Sequence, residues 1–172
     1  MKRLLLATAV SLLTATSAMA QTVYIVRHAE KVDAPGNPDP ALSEAGQARA
    51  AVLADALRDA HPVLVLTSPL QRTIQTAAPT ADYHSAPSEA VSLDGGGAAH
   101  VAATVARVRA LPADATVLIV GHSNTVPLIA RGLGYAEAAD MPECEYDRMT
   151  RLTLEGGSVM AVVSRYGAAS SC

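Results

Sequence analysis

The sequence predicts a three-layer α/β/α sandwich with a mainly parallel central sheet and a C-terminal antiparallel hairpin. Short, continuous apolar runs, typical of strands buried on both faces, alternate with stretches of helical spacing. That alternation indicates a parallel sheet covered by helices. Near the end of the chain, residues 150–154 and 158–164 alternate partly between apolar and polar. They flank Glu155-Gly156-Gly157, which indicates a hairpin turn.

The first half of the fold begins with a predicted strand over residues 23–26. Three prolines make residues 29–42 a loop. Ser43 is a suitable N-cap for a helix over 44–60. The apolar run 63–66 is predicted to be the second buried strand.

The middle of the chain continues with a helix that has Pro69 near its first turn and ends at about Ala78. Residues 79–97 contain two prolines and three consecutive glycines, so we predict an irregular segment. The next three elements are predicted to alternate helix, strand and helix, over 98–111, 117–120 and 124–133.

The first 20 residues have the features of a secretory signal peptide. Lys2-Arg3 is a basic start, Leu4 to Leu13 is apolar, and Ala18-Met19-Ala20 fits the small-x-small cleavage rule. The apolar stretch is too short for a comfortable membrane span, and Gln21 stands where a lipoprotein would have cysteine. We therefore predict cleavage after Ala20, no stable membrane anchor, and a periplasmic or secreted protein. The alternative is an uncleaved N-terminal anchor.

The composition of the remaining chain limits its partners. Removal of the first 20 of 172 residues leaves 152, which predicts a single domain over residues 21–172. The formal net charge then changes from −3 to −5, because Lys2 and Arg3 are lost. An acidic chain disfavours nucleic acid as the main partner. The sequence indicates no oligomeric state.

The two cysteines, Cys144 and Cys172, lie in the exported part of the chain and have no zinc-binding spacing. A two-residue turn in the hairpin pairs residues whose numbers sum to about 313. On that register Cys144 lies opposite residue 169, close to Cys172. In an oxidising compartment we therefore predict a disulfide between them. Two free thiols are the alternative.

Two histidines directly follow predicted strands. Residues 23–26 run into Arg27-His28, and residues 117–120 run into Gly121-His122. Ligands in open α/β sheets bind beyond the carboxyl ends of the strands. Both histidines therefore lie where sites form, and they can face one another. The alternative for each is a structural histidine at a strand end.

Three segments carry a family resemblance. Arg27-His28-Ala29-Glu30 resembles the Arg-His-Gly signature of the histidine phosphatase superfamily, the phosphoglycerate mutase-like group, with Ala29 in the place of glycine. Residues 67–73 resemble the family's Ser-x-Leu-x-Arg segment, and residues 121–125 resemble the segment with its second histidine. The resemblance extends from about Val23 to about Gly167 and implies the same fold.

The resemblance also implies roles for the matching residues. His28 would attack phosphorus and become phosphohistidine, which water then hydrolyses. Arg27 and Arg72 would hold the phosphoryl oxygens. His122 would donate a hydrogen bond in its protonated form, its pKa raised by the bound dianion. Ser123, directly after it, is a further candidate for substrate binding. No cluster of His, Cys and carboxylates has ligand spacing, so the sequence predicts no metal and no cofactor.

The proton donor for the leaving group is left open. The phytase-like branch carries Asp directly after the second histidine, where this chain has Ser123. The mutase branch has Glu beyond the second arginine. Four carboxylates near the nucleophile or in that stretch are candidates: Glu30, Asp82, Glu89 and Asp94. Each is also explained as a solvated carboxylate. A good leaving group, such as that of phosphohistidine or an acyl phosphate, would need no acid.

Together these features predict an exported, metal-independent phosphoric monoester hydrolase. The small chain leaves an open site bounded by residues 29–42 and 79–97. Its predicted partner is a phosphorylated small molecule or envelope sugar. One alternative is a protein phosphohistidine phosphatase, which the small size favours and export opposes. The other is a catalytically silent phosphate-binding envelope module.

Overall fold

The computed structural model describes residues 19–172, in which one six-stranded sheet carries helices on both faces. The strands are β1 (Gln21–Arg27), β2 (Leu64–Thr67), β3 (Ser88–Ala90), β4 (Thr116–Gly121), β5 (Arg148–Glu155) and β6 (Ser158–Arg165). The helices are α1 (Glu44–Ala56), α2 (Gln71–His84), α3 (Gly96–Arg109) and α4 (Val126–Gly132).

The strand order is β3-β2-β4-β1-β5-β6. Strands β3, β2, β4 and β1 are parallel to one another, whereas β5 and β6 form a hairpin that pairs antiparallel with β1. The predicted fold class is therefore confirmed. Because β1 lies between β4 and β5, the residues that follow β1 are at the centre of the sheet edge.

The core has two halves, one on each face of the sheet. Apolar residues of one half come from the sheet, α3 and α4: Val23, Ile25, Val105, Val108, Ile119, Ile129 and Leu152. Those of the other come from the sheet, α1, α2 and the C-terminal segment: Val26, Leu53, Leu57, Ala77, Val120 and Tyr166. The strands supply both halves because successive side chains point to opposite faces. This explains why the predicted strands are continuously apolar.

The terminal hairpin has the predicted register. Leu154 pairs with Val159, and Arg148 at the far end pairs with Arg165. Beyond that end, Cys144 and Cys172 form a disulfide with a Cα–Cα distance of 5.3 Å. The predicted pairing of the cysteines is thus confirmed. The bridge joins the C-terminal residue to the segment that precedes β5.

The prediction of an irregular segment over residues 79–97 is wrong in part. Helix α2 continues through Pro79 to His84, and residues 88–90 form the edge strand β3. Pro79 cannot donate a hydrogen bond to the preceding turn. The helix nevertheless continues because its buried face, with Ala77, Thr80 and Ala81, extends across the proline.

The other predicted elements are present with shifted ends. Helix α1 ends at Ala56 rather than residue 60, and the Ser43 side chain caps it by accepting from the Gly46 N–H at 3.2 Å. Most of the predicted signal peptide, residues 1–18, lies outside the described residues. None of the helices formed by residues 19–172 is long and apolar enough to cross a membrane.

Loss of the disulfide is expected to destabilise the protein. In the chain-entropy account, opening a loop of 28 residues lowers the free energy of unfolding by about 3.5 kcal/mol. We expect that decrease in urea unfolding of a Cys144→Ser/Cys172→Ser variant. Wild-type protein unfolded with a reducing agent is the control and should match the variant. Equal stability of the oxidised wild type and the variant would contradict the prediction.

Candidate active site

The two strand-end histidines lie side by side at the centre of the sheet edge. Arg27 is in register with Gly121 on the neighbouring parallel strand, and the His28 N–H donates to the Gly121 carbonyl at 2.9 Å. The His28 and His122 rings follow, with centroids 5.3 Å apart. Gly121 suits this turn, because a Cβ there would lie 3.0 Å from Thr125 Oγ1.

His28 is buried and held in one tautomer. Its Nδ1 lies 2.7 Å from the Ala29 carbonyl oxygen. Because a carbonyl only accepts, Nδ1 carries the proton and the Nε2 lone pair is free. Burial is the largest cause that lowers the pKa of His28 to about 3, and the charges of Arg27, His122 and Arg72 add to it. His28 is therefore a neutral imidazole with an available nitrogen nucleophile.

Arg27 is a buried arginine whose guanidinium is fixed on several sides. Its Nη1 donates to the carbonyls of Pro142, Glu143 and Glu145 at 3.2, 2.6 and 3.2 Å. The guanidinium lies 4.2 Å from the centre of the Tyr146 ring, a favourable cation–π distance. Its buried Nε–H has no hydrogen-bond partner within the described residues.

Arg72, in the first turn of α2, is tied to the end of β1. Thr76 Oγ1 accepts from the Ala29 N–H at 2.9 Å and donates to the Arg72 carbonyl at 2.7 Å. Asp39 lies beside the Arg72 guanidinium, with its Oδ1 3.8 Å from Nη1. The Nε–H of Arg72 is also buried and, among residues 19–172, has no partner.

Arg27 and Arg72 together form what we call the arginine clamp. Buried N–H groups are almost always paired in folded proteins. An unpaired donor on each of two arginines that both act on the pKa of His28 indicates a place for an anion. The structure thus brings Arg27, His28, Arg72 and His122 together at one sheet edge.

His122 is partly oriented by Ser68, whose Oγ lies 2.9 Å from Nε2. Burial, followed by the charge of Arg72, lowers the pKa of His122 to about 4. The imidazole is therefore neutral, and it still carries one N–H that can donate. The predicted protonated form concerns the complex with a phosphoryl dianion, and it stays a prediction.

Glu143 contacts the clamp, although it lies outside all three sequence motifs. Its Oε2 accepts from Arg27 Nη2 at 2.7 Å, and its Oε1 accepts from the Ser123 hydroxyl. Ser123, predicted to bind substrate, therefore lies beside the clamp but holds a carboxylate. Tyr146, which stacks on Arg27, is also absent from the motifs. The only sequence signal for this segment is the disulfide at Cys144.

The four predicted proton donors are paired elsewhere or exposed. Glu30 is held by Arg49, whose Nε and Nη2 donate to its carboxylate at 2.7–3.0 Å. Burial, the largest single cause, would raise the pKa of Glu30. The hydrogen bonds and charge of Arg49, a backbone hydrogen bond and the charge of Arg27 together outweigh it, so the pKa is lowered. Glu89 pairs with Arg107 at 2.8 Å, and Asp82 and Asp94 are exposed. Within the described residues none of the four hydrogen-bonds to the clamp or to the two histidines.

The low pKa of His28 predicts a specific pH dependence. The unfolded histidine has its ordinary pKa of 6.5, so between pH 6.5 and about 3 the unfolded state binds more protons than the folded state. The free energy of unfolding should therefore fall as pH is lowered through this window. We expect side-chain NMR of His28 to show the neutral form at about pH 5. The His28→Asn variant should lose less stability on acidification. A titration of His28 at its ordinary pKa would contradict the prediction.

Sequence comparison identifies a family model for part of the chain. The model described as histidine phosphatase superfamily (branch 1) matches residues 23–93. The uncharacterized protein Rv0525 of Mycobacterium tuberculosis is 46% identical over 67 residues, which are 36% of this chain and 33% of that protein. The match thus spans about a third of the length of this curated relative.

Solved structures match over most of the chain. A protein assigned as phosphohistidine phosphatase SixA from Nakamurella multipartitia is 28% identical, with a TM-score of 0.61, over 87% of this chain and 96% of that one. The protein histidine phosphatase SixA in complex with tungstate is 21% identical, with a TM-score of 0.61 and coverages of 84% and 96%. Mycobacterial glucosyl-3-phosphoglycerate phosphatase Rv2419c with inorganic phosphate is 17% identical, with a TM-score of 0.61 and coverages of 86% and 97%. At these identities the last two support the fold alone.

Proposed function

Because the chain belongs to the histidine phosphatase superfamily, we propose that it hydrolyses phosphate monoesters through a phosphohistidine intermediate on His28. One observation supports this most directly. A neutral histidine with a free Nε2 lies beside two arginines that each have an unpaired, buried N–H. A nucleophile next to a preformed anion site is the arrangement that phosphoryl transfer requires.

The proposed reaction has two displacements at phosphorus. In the first, His28 Nε2 forms a bond to phosphorus while the bond to the leaving oxygen breaks, and the leaving group departs with that electron pair. In the second, water attacks phosphorus, the P–N bond breaks with its electron pair returning to His28 Nε2, and the proton lost by the water reaches the released alkoxide through solvent. The arginine clamp stabilises the charge on the three equatorial oxygens in both steps. The Nδ1–H bond to Ala29 stabilises the imidazole while Nε2 carries the phosphoryl group.

The leaving group distinguishes two candidate activities, hydrolysis of a phosphate monoester and hydrolysis of a protein phosphohistidine. In the described part of the chain, none of the four predicted acids hydrogen-bonds to the clamp, and Glu143, the carboxylate that does, already accepts from Arg27 and Ser123. A leaving group that departs without a donated proton is therefore favoured. A protein phosphohistidine phosphatase is therefore the second candidate, and the likeness to the protein assigned as SixA supports it. Export would favour the first candidate, with a phosphorylated small molecule or envelope sugar as an extracytoplasmic substrate. Periplasmic or secreted localisation is part of the proposal.

The activity is tested by hydrolysis of p-nitrophenyl phosphate, followed by a panel of sugar phosphates and a phosphohistidine peptide. Acid-sensitive, alkali-stable labelling of the protein from a ³²P-substrate would support the phosphohistidine intermediate. Preference for the peptide over all esters would favour the second candidate. Phosphate binding without turnover of any substrate would contradict both and support a silent binding module.

Hydrolysis is expected to be unaffected by EDTA. The arginine clamp supplies the positive charge that metal ions supply in many other phosphoryl-transfer enzymes. The rate should be measured before and after dialysis against the chelator, with a metal-dependent phosphatase treated in parallel as the control. A loss of activity that a divalent metal restores would contradict this prediction.

A further inference from the structure

We propose that the Glu143 carboxylate is a built-in competitor of the substrate at Arg27, which restricts the site to dianionic phosphoryl groups. The proposal rests on the proposed function, because it concerns the selectivity of the same anion site. It assigns Glu143 the role of a specificity-determining residue. This role also explains why a carboxylate, itself an anion, occupies an anion-binding site.

The contacts of Glu143 are those of an anionic ligand. One carboxylate oxygen accepts from Arg27 Nη2 at 2.7 Å, and the other accepts from the Ser123 hydroxyl. Arg27 and Ser123 are two of the residues that the motifs predict to hold substrate. A carboxylate bridging an arginine and a hydroxyl uses the same kind of donors as a phosphoryl oxygen does.

The Glu143 backbone is fixed, whereas its side chain is free to move. The neighbouring Cys144 is bridged to Cys172, and the Ser170 hydroxyl accepts from the N–H groups of Tyr146 and Asp147 at 2.8 and 3.2 Å. The Glu143 side chain, however, is 82% exposed, while that of Arg27 is 3% exposed. The carboxylate can therefore leave the clamp for solvent without moving the backbone that surrounds Arg27.

Such a tethered group discriminates between anions by charge. A carboxylate held next to its partner competes at a high effective concentration. A free monoanion, such as acetate or a phosphodiester, offers no more charge than Glu143 does. A phosphomonoester dianion offers twice the charge and a third oxygen, and it can also use the unpaired Nε–H groups of Arg27 and Arg72. Only the dianion gains enough binding free energy to displace Glu143 from Arg27.

The test is a Glu143→Gln variant, which keeps the shape of the side chain and removes its charge. We expect calorimetry to give a Kd for inorganic phosphate about three- to tenfold lower than in the wild type. Acetate and dimethyl phosphate should inhibit the variant measurably and the wild type much less. The difference in Kd should shrink as salt is added, since the competition is electrostatic.

The matched control is Glu137→Gln, because Glu137 is exposed and not part of the site. It should bind phosphate as the wild type does. An unchanged or higher Kd in Glu143→Gln, or the same decrease in the control, would overturn the proposal. A fall in kcat with unchanged phosphate affinity would instead identify Glu143 as a proton donor and also overturn it. The binding readout does not need turnover, so a wild type that binds phosphate without hydrolysis would refute the proposed function only.

Discussion

Replacement of His28 by alanine is expected to lower kcat by at least about 10⁴-fold, the scale seen when a covalent nucleophile is removed. The arginine clamp remains in this variant, but it can only bind the substrate. Without a nucleophile to attack phosphorus, a clamp that stabilises the transition state accelerates hydrolysis very little. Steady-state hydrolysis of p-nitrophenyl phosphate measures the loss.

The matching control is His28→Asn, in which a side-chain amide can still donate to the Ala29 carbonyl. We expect this variant to be inactive but to bind inorganic phosphate in calorimetry, because the clamp supplies the binding. Thermal unfolding of both variants shows whether the site residue has been removed without loss of the fold. Substantial turnover by His28→Ala would contradict a mechanism through phosphohistidine.

Replacement of Arg72 by alanine is expected to lower kcat by about 10²–10³-fold and to raise KM as well. The decrease in kcat should be smaller in Arg72→Lys, because an ammonium restores the positive charge. Some decrease should remain, because an ammonium lacks the planar fork that holds two oxygens. An effect on kcat is expected because the transition state spreads its charge over three equatorial oxygens, and a fork placed to hold those oxygens binds them most tightly there. Steady-state kinetics of both variants separates the two parameters.

Arg58 provides the control for Arg72. It also has an acidic neighbour, but it lies in the turn after α1, and its side chain is 57% exposed and pairs with Asp55 on the surface. Arg58→Ala should leave kcat and KM unchanged. If Arg72→Ala changed only KM, the interaction would be equally strong before and during the reaction, and Arg72 would merely bind substrate.

The central part of the fold could be predicted because its strands are buried on both faces. Such strands are continuously apolar, and their carboxyl ends meet at one edge. The positions of His28 and His122 follow from that rule. Strand β3 had no such signal: it has three residues, Ser88–Ala90, at the edge of the sheet, and two of them are exposed.

The surroundings of the two histidines could not be predicted, because they depend on segments that meet only in the folded chain. Glu143 reaches Arg27 from a loop more than a hundred positions later. Glu30 is close to His28 in sequence, yet helix α1 brings Arg49 to its carboxylate. That helix approaches so closely at Gly46 that a Cβ there would lie 2.0 Å from the Glu30 carbonyl oxygen. Neither contact has a pattern in the local sequence.

The central place of β1 has a consequence for the order of folding. Its first residues pair with Thr116 on one side and with Leu154 on the other. Both partner strands, β4 and β5, are therefore synthesised long after β1. Pairings of such large sequence separation form slowly. During synthesis, the first strand cannot gain either partner until most of the chain has left the ribosome. A first strand that stays unpaired for that time keeps the sheet from closing, and an unfolded chain is what passage through a translocation channel, part of the proposed export, requires.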